Sequence, residues 1–262
     1  MKTVLIPVPS YGFDPTEAAV PWKMLKAAAH RVVFATPNGK VARADVRMVT
    51  GQDLPFLLKK TLMASPEAVA AYQDLLMASE FQNPISYEQI QPQDFDAIFL
   101  PGGHDKGMRE YLESQTLQRK VAFFFDHNKI VGAICHGTLL AARSVSVEDL
   151  VRKGRSVLWR RKTTGLTRNQ ELIAFNLTRL QLGDYYRTYD IPMADELISY
   201  LEKKSDYLPG PGFPIPLSRD SENNLRPGFT VCDGNYLSAR WPGDAHKFGF
   251  ELVRLLGGEV PK

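Results

Sequence analysis

Cysteine is scarce in this chain. Its 262 residues include only Cys135 and Cys232, far apart and in no C-x-x-C pair. That excludes a zinc ribbon and a disulfide framework, and it points to a reducing compartment. Strong charge of one sign is also missing. The formal net charge is +3, too little to ask for nucleic acid or an anionic membrane. The basic cluster Arg152, Lys153, Arg155, Arg160, Arg161 and Lys162 reads as a solvated face. No window approaches ~18 unbroken apolar residues, so no membrane span is expected. The opening "MKTVLIPVPS" has one Lys and too short an apolar stretch for a secretory signal. Internal repeats and low-complexity tracts are absent. A cytoplasmic protein with no nucleic-acid and no membrane partner is expected.

What is present is ordinary globular material: 44% hydrophobic and 23% charged residues. The length fits one large α/β domain or two modest ones. Short β-branched or apolar runs at 3–8, 31–36, 94–103 and 129–134 read as buried strands. Between them, 13–30, 109–128 and 136–144 read as helices, the first capped by Asp14 with Pro15 behind it. Pro21 falls inside that helix, where a break or kink is expected. Residues 40–93 read as a helical insertion, with 50–60 helical and Ser65 capping a second helix. Further on, 160–167 is expected as a strand, and 168–180, 194–204 and 243–258 as helices. The run 229–240 is expected as a hairpin turning at Asp233-Gly234. The Pro/Gly-rich stretch 205–228 is a long loop of the kind that is functional or mobile. Alternating strands and helices predict a parallel sheet covered on both faces, with ligands bound beyond the carboxyl ends of its strands. Ser10–Glu17, Pro101–His104 and Cys135–Gly137 all fall at such ends.

"IVGAICHG" (130–137) ends an apolar run in Cys135, His136 and Gly137. A strand that stops at a nucleophile and turns into a helix is a nucleophile elbow, and its tightness asks for small neighbours such as Ala133 and Gly137. The helix N-terminus there favours a thiolate, and the N–H of His136 would face an oxyanion. The alternative is a buried cysteine that only packs. Glu17 is either the capping-box glutamate of its helix or a catalytic acid/base. His104 and Asp105 are either metal ligands or loop residues near the pocket, and no second ligand pair at metal spacing appears. Cys232 reads as core.

Taken together, "TEAAVPWKML", "DAIFLPGGH", "AICHG", "RRKTTGLTRNQE" and "DGNYLSARWPGDA" resemble the ThiJ/PfpI (DJ-1-like) superfamily, whose fold is similar to that of class I glutamine amidotransferases. The likeness is to the branch of heat-shock chaperones and glutathione-independent glyoxalase III. The resemblance implies a single domain over 1–262: a flavodoxin-like parallel sheet between helices, with a helical insertion or cap at about 40–93 and the long loop 205–228. It implies Cys135 as nucleophile, His136 as its partner, Glu171 orienting that histidine, and Glu17 as acid/base. Backbone at Gly103 and His136 would form the oxyanion hole, with Gly102 and His104 lining the pocket. No cofactor and no metal are implied, and a homodimer is expected. Ala239-Arg240-Trp241 departs from the family's late hairpin, and 205–228 is longer than expected.

Three readings follow. The first is a glyoxalase III-like lyase that converts a small carbonyl substrate such as methylglyoxal into lactate. The second is an amidase or cysteine peptidase using the same groups. The third is a redox-responsive holdase chaperone, in which Cys135 is oxidised to a sulfinic acid beside Glu17.

Overall fold

The computed structural model describes residues 1–212 and 215–258; residues 213 and 214 of the long loop and 259–262 lie outside the described residues. Its strands are β1 (Thr3–Pro7), β2 (Tyr11–Phe13), β3 (Arg31–Thr36), β4 (Arg43–Ala44), β5 (Ile85–Ser86), β6 (Ala97–Leu100), β7 (Ile130–Ile134), β8 (Thr230–Asp233) and β9 (Tyr236–Ala239). Its helices are α1 (Pro15–Ala27), α2 (Val46–Thr50), α3 (Lys59–Leu62), α4 (Pro66–Met77), α5 (Ser79–Gln82), α6 (Met108–Leu112), α7 (Gln115–Asp126), α8 (Gly137–Arg143), α9 (Arg168–Leu182), α10 (Met193–Ser199) and α11 (Ala245–Leu255).

Seven strands form one sheet in the order β5-β3-β1-β6-β7-β9-β8. All neighbours are parallel except β8, which runs antiparallel to β9 at the edge. The central strands are buried on both faces, so they carry continuous apolar runs: Val4-Leu5-Ile6 and Ala97 to Leu100 are shut off from solvent. On one side α1 packs with α4 and α11; on the other α8 packs with α6, α7 and α10. β2 and β4 make a separate parallel pair that links the start of α1 to the insertion. Within that insertion Met48 and Leu54 form a small second core with Tyr185 and Tyr186, which follow α9. No described helix is long and apolar enough to cross a membrane.

Several local expectations are corrected. Residues 160–167 are not a strand: Thr163 makes a single bridge to Tyr207, because the late loop rather than a sheet edge faces it. The segment 109–128 is two helices, α6 and α7, since the Ser114 hydroxyl accepts the N–H of Leu117 and starts a new helix. Helix α1 is not broken at Pro21; it runs on to Ala27 with Pro21 buried. Residues 40–93 contain two short strands, and 50–60 is helical only at its ends, in α2 and α3. Helix α10 stops at Ser199, well short of 204. The hairpin turns on Gly234-Asn235, one residue later than expected, with Asp233 paired to Tyr236 and Gly234 at φ 61°. Cys232 is exposed, not core, because β8 is the edge strand. Arg161 of the basic cluster is buried and donates to the Asp233 carbonyl at 3.0 Å.

Candidate active site

The three loops predicted to converge do so at the carboxyl ends of β1, β6 and β7. Asp14 starts α1 by accepting the N–H groups of Thr16 at 2.8 Å and Glu17 at 3.1 Å. A capping-box Glu17 would accept the N–H of Asp14. That N–H instead donates to the Gly102 carbonyl at 2.8 Å. Glu17 Oε2 in turn accepts the N–H of Gly102 at 2.9 Å. Both polar groups of Gly102 are therefore tied to the start of α1, and the Glu17 carboxyl is turned into the site.

Cys135 sits in the elbow as drawn from the sequence. Its φ is 55°, a left-handed conformation that costs a non-glycine residue about 1–3 kcal/mol and that tertiary structure must enforce. The enforcing contacts are local. Cys135 N–H donates to the Ala239 carbonyl at 3.1 Å. Its carbonyl accepts Thr138 N–H at 3.1 Å and the Thr138 hydroxyl at 2.7 Å. Gly137 is needed because a Cβ there would lie 2.0 Å from the Leu100 carbonyl oxygen. The Cys135 sulfur stands 3.7 Å from His136 Nδ1. Glu17 Oε1 is buried with no hydrogen-bond partner among the described residues, and the Cys135 thiol is the side chain near enough to interact with that carboxyl.

The expected thiolate is not what the closed site favours. Burial pushes the Cys135 thiol well above its ordinary range, and the Glu17 charge pushes the same way. The N–H of His136 works against this, but α8 is too short and too buried to outweigh desolvation. Glu17 is held well above the usual carboxylate range by burial, then by Asp14. His136 lies well below the usual histidine value through burial, then through His104 and Arg143. Burial lowers His104 to about 4. Burial thus disfavours the charged form of each of these four groups.

His104 lies beside the elbow, its ring edge-on to His136 at 5.5 Å and to Tyr186 at 5.1 Å. One ligand atom each from His104, Cys135 and His136 falls within 4.8 Å of the others. Such a nitrogen-and-sulfur set suits zinc or another soft transition metal, provided the thiol ionises and the ligands draw slightly closer. Asp105 is not in that set; it accepts the N–H of Gly107 at 2.7 Å. Gly102 and Gly103 pack without room for a side chain: a Cβ on Gly103 would lie 2.6 Å from the Gly12 carbonyl oxygen.

Glu171 is buried, but no hydrogen bond joins it to His136 among the described residues. Oε2 accepts the N–H of Met193 at 2.8 Å, and Oε1 lies 3.6 Å from Arg187 Nε. Burial raises its carboxyl to about 7.

Other residues at the site went unread in the sequence. Arg240 is fully buried and grips Asp244 through Nε and Nη2, each at 2.8 Å, while Nη1 donates to the Pro211 carbonyl at 2.7 Å. The Asp244 charge reaches Glu17. Tyr207 donates to the Gly165 carbonyl at 3.1 Å and lies within electrostatic reach of Cys135. The two departures from the family pattern, 239–241 and the long loop, therefore meet over the elbow. The signal was there in that departure, but nothing in the residue order paired them. The cavity lined by Lys2, Asp96 and Lys129 lies at the opposite end of the sheet.

The ThiJ/PfpI family-like model matches residues 8–211. A protein of Schizosaccharomyces pombe is 29% identical over 119 residues, a match spanning 45% of this chain and 43% of that protein. Among solved structures, glyoxalase III of Candida albicans superposes with a TM-score of 0.68 at 18% identity, covering 97% of each chain. The rapid encystment protein of Francisella tularensis gives 0.68 at 18% identity over 98% of this chain and 99% of that one. Drosophila melanogaster DJ-1beta gives 0.54 at 14% identity over 98% of this chain and 91% of that one. These likenesses establish the flavodoxin-like α/β fold. Matched over most of its length, the chain belongs to the ThiJ/PfpI-like family.

Proposed function

We propose that this protein is a glyoxalase III-type lyase that converts a small α-ketoaldehyde such as methylglyoxal into the hydroxy acid, drawing its thiol from its own chain rather than from glutathione. The observation that carries the reading is the side-chain pair Glu17–Cys135, with the carboxyl pushed above its usual range by burial and the sulfur in a strained elbow.

The protonation states suggest the order of steps. Neutral His136, 3.7 Å from the sulfur, takes the thiol proton as sulfur adds to the aldehyde carbon. Glu17 gives its proton to the aldehyde oxygen, so the developing oxyanion is quenched as the hemithioacetal forms. Glu17 is then a carboxylate and takes the C–H proton from the sulfur-bearing carbon. It returns that proton to the neighbouring carbon, while the hydroxyl proton moves to the second oxygen through the enediol. The product is a thioester; water cleaves it, releasing the hydroxy acid and restoring the thiol, and the proton held by His136 returns to Glu17. Backbone N–H groups at Gly103 and His136 are the proposed oxyanion donors. No electrons leave the system, so no oxidant is required.

The test is turnover of methylglyoxal by wild type and by Cys135→Ala. Lactate formation in the first and none in a folded variant is the expected result. Equal turnover in both, or hydrolysis of a small-amide panel without lactate formation, overturns the reading. Location in the cytoplasm and assembly as a homodimer belong to the same proposal; gel filtration with light scattering checks the second.

A further inference from the structure

Beyond His104 lie buried hydrogen-bond donors with no acceptor among the described residues. Tyr186 is 3% exposed and its hydroxyl has no partner. Nε1 of Trp241 and Nε of Arg47 are buried in the same condition. Arg219 lies over the Trp241 ring at 5.4 Å, donates Nη2 to the Thr61 carbonyl at 2.7 Å, and makes no ion pair among the described residues. The Arg47 guanidinium lies over the Tyr185 ring at 5.0 Å and 3.7 Å from Asp53.

These groups belong to one surface. The Tyr185 ring under Arg47 packs on Tyr186 at 4.8 Å, and Arg219 and Arg47 act on Tyr186 together with Asp45 and Asp14. The Tyr186 ring packs on His104, and His104 on His136. The wall runs from two guanidinium groups to the histidine beside Cys135. Nearby carboxylates are occupied elsewhere. Asp14 caps α1. Asp45 accepts from Tyr185 and from Arg47 N–H. Asp220 accepts the N–H groups of His246 and Lys247.

A buried donor left unpaired carries a desolvation cost that a bound acceptor removes. A wall of unpaired donors with two positive charges is satisfied by a ligand group that only accepts, and carboxylates and phosphates match guanidinium best. We infer that the site takes a carbonyl substrate bearing a carboxylate or phosphate, and that Arg219 and Arg47, with Tyr186 and Trp241, hold that anionic group. The reactive end of this substrate rests on the carbonyl chemistry proposed for Cys135; anion binding by the wall does not.

Two arms test the inference separately. In the first, inorganic phosphate and pyruvate are titrated by calorimetry into Cys135→Ser protein, which cannot turn over. Saturable one-site binding of at least one of them is expected, and the stronger ligand tells phosphate from carboxylate. Arg219→Gln should weaken it by about tenfold or more. Trp241→Phe, which keeps the ring and removes the donor, should weaken it less, and it stands in if Arg219→Gln does not fold. No saturable binding, or undiminished binding in both variants, overturns the inference. In the second arm, wild type is given methylglyoxal and an α-ketoaldehyde with a terminal carboxylate or phosphate. The expected kcat/KM ratio favours the anionic compound by about tenfold, and Arg219→Gln brings it towards one. A ratio near one in wild type rejects the anion site while the lyase reading stands. Arg219-dependent binding without Cys135-dependent turnover rejects the lyase reading while the anion site stands.

Discussion

Gly102 locks Glu17 in place: its N–H donates to Glu17 Oε2 at 2.9 Å, and a Cβ on it would lie 2.7 Å from that same oxygen. The strand end after β6 is thus both a hydrogen-bond donor to the acid and a spacer that only glycine fits. One carboxylate oxygen is fixed by backbone, and the other is left for the thiol and the substrate.

Glu17→Gln keeps the size and an acceptor for Gly102 N–H but cannot donate or take a proton as an acid does. Lactate formation should fall by roughly 10²–10⁴-fold, the usual contribution of a positioned acid/base. A glutamine cannot ionise as the thiol does, so the Glu17 contribution that raises the Cys135 thiol, second to burial, should be lost and the thiol pKa should fall. Following thiolate absorbance against pH checks the second effect; a thiol titrating unchanged in Glu17→Gln would show that the two groups do not interact.

Gly102→Ala puts a Cβ 2.7 Å from Glu17 Oε2 and also 2.7 Å from His136 N. His136 N is backbone and cannot give way, while the Glu17 side chain can only be pushed aside. A loss of about 1–3 kcal/mol in stability is expected, with turnover reduced further because the acid is displaced. Thermal melting and steady-state kinetics on the same preparation read the two effects apart.

Glu171 offers a pH test of stability. Its carboxyl is raised from 4.5 to about 7 in the folded chain. The native state therefore binds more protons than the unfolded state across this range. The stability Glu171 confers is present below about 4.5 and is lost as pH rises through about 7. The whole change is on the order of 3 kcal/mol for a shift of this size. Glu171→Gln can still accept the N–H of Met193 but cannot ionise. Its melting temperature should fall less steeply than that of wild type between those pH values. Parallel curves would assign the pH dependence to other groups.

His104, Cys135 and His136 make a three-atom set compact enough for a soft metal. Added zinc should inhibit Cys135-dependent turnover, and a chelator should restore it. His104→Gln should raise the zinc concentration needed by about tenfold, the size of effect expected when a ligand or its support is lost. Inhibition equally strong in that variant would place the metal elsewhere.

Much of this site was legible because its requirements are local. Cys135 and Gly137 sit where a tight strand-to-helix turn needs them, and a Cβ on Gly137 would strike the Leu100 carbonyl. Asp14 and Pro15 announced α1, and with it the placement of Glu17 at a strand end. Family pattern extended this to Gly103 and His136. The same pattern carried Glu171 into the triad, whereas the structure sets that carboxylate on the α10 N-terminus and near Arg187.

The sequence by itself determined the order of buried strands, the elbow and the three loops at its mouth, since apolar runs, caps and turn sterics act between near neighbours. Only the tertiary structure showed that Glu17 does not close a capping box, because that turns on where the Asp14 N–H goes, and it goes to Gly102 across 88 positions of chain, from 14 to 102. It also set the electrostatics of the site: desolvation from every side disfavours the charged forms of the thiol and the acid. It brought Arg47 and Arg219, from the insertion and the long loop, to the same tyrosine. Burial and long-range pairing are sums over the whole packed chain, and no local spacing encodes them.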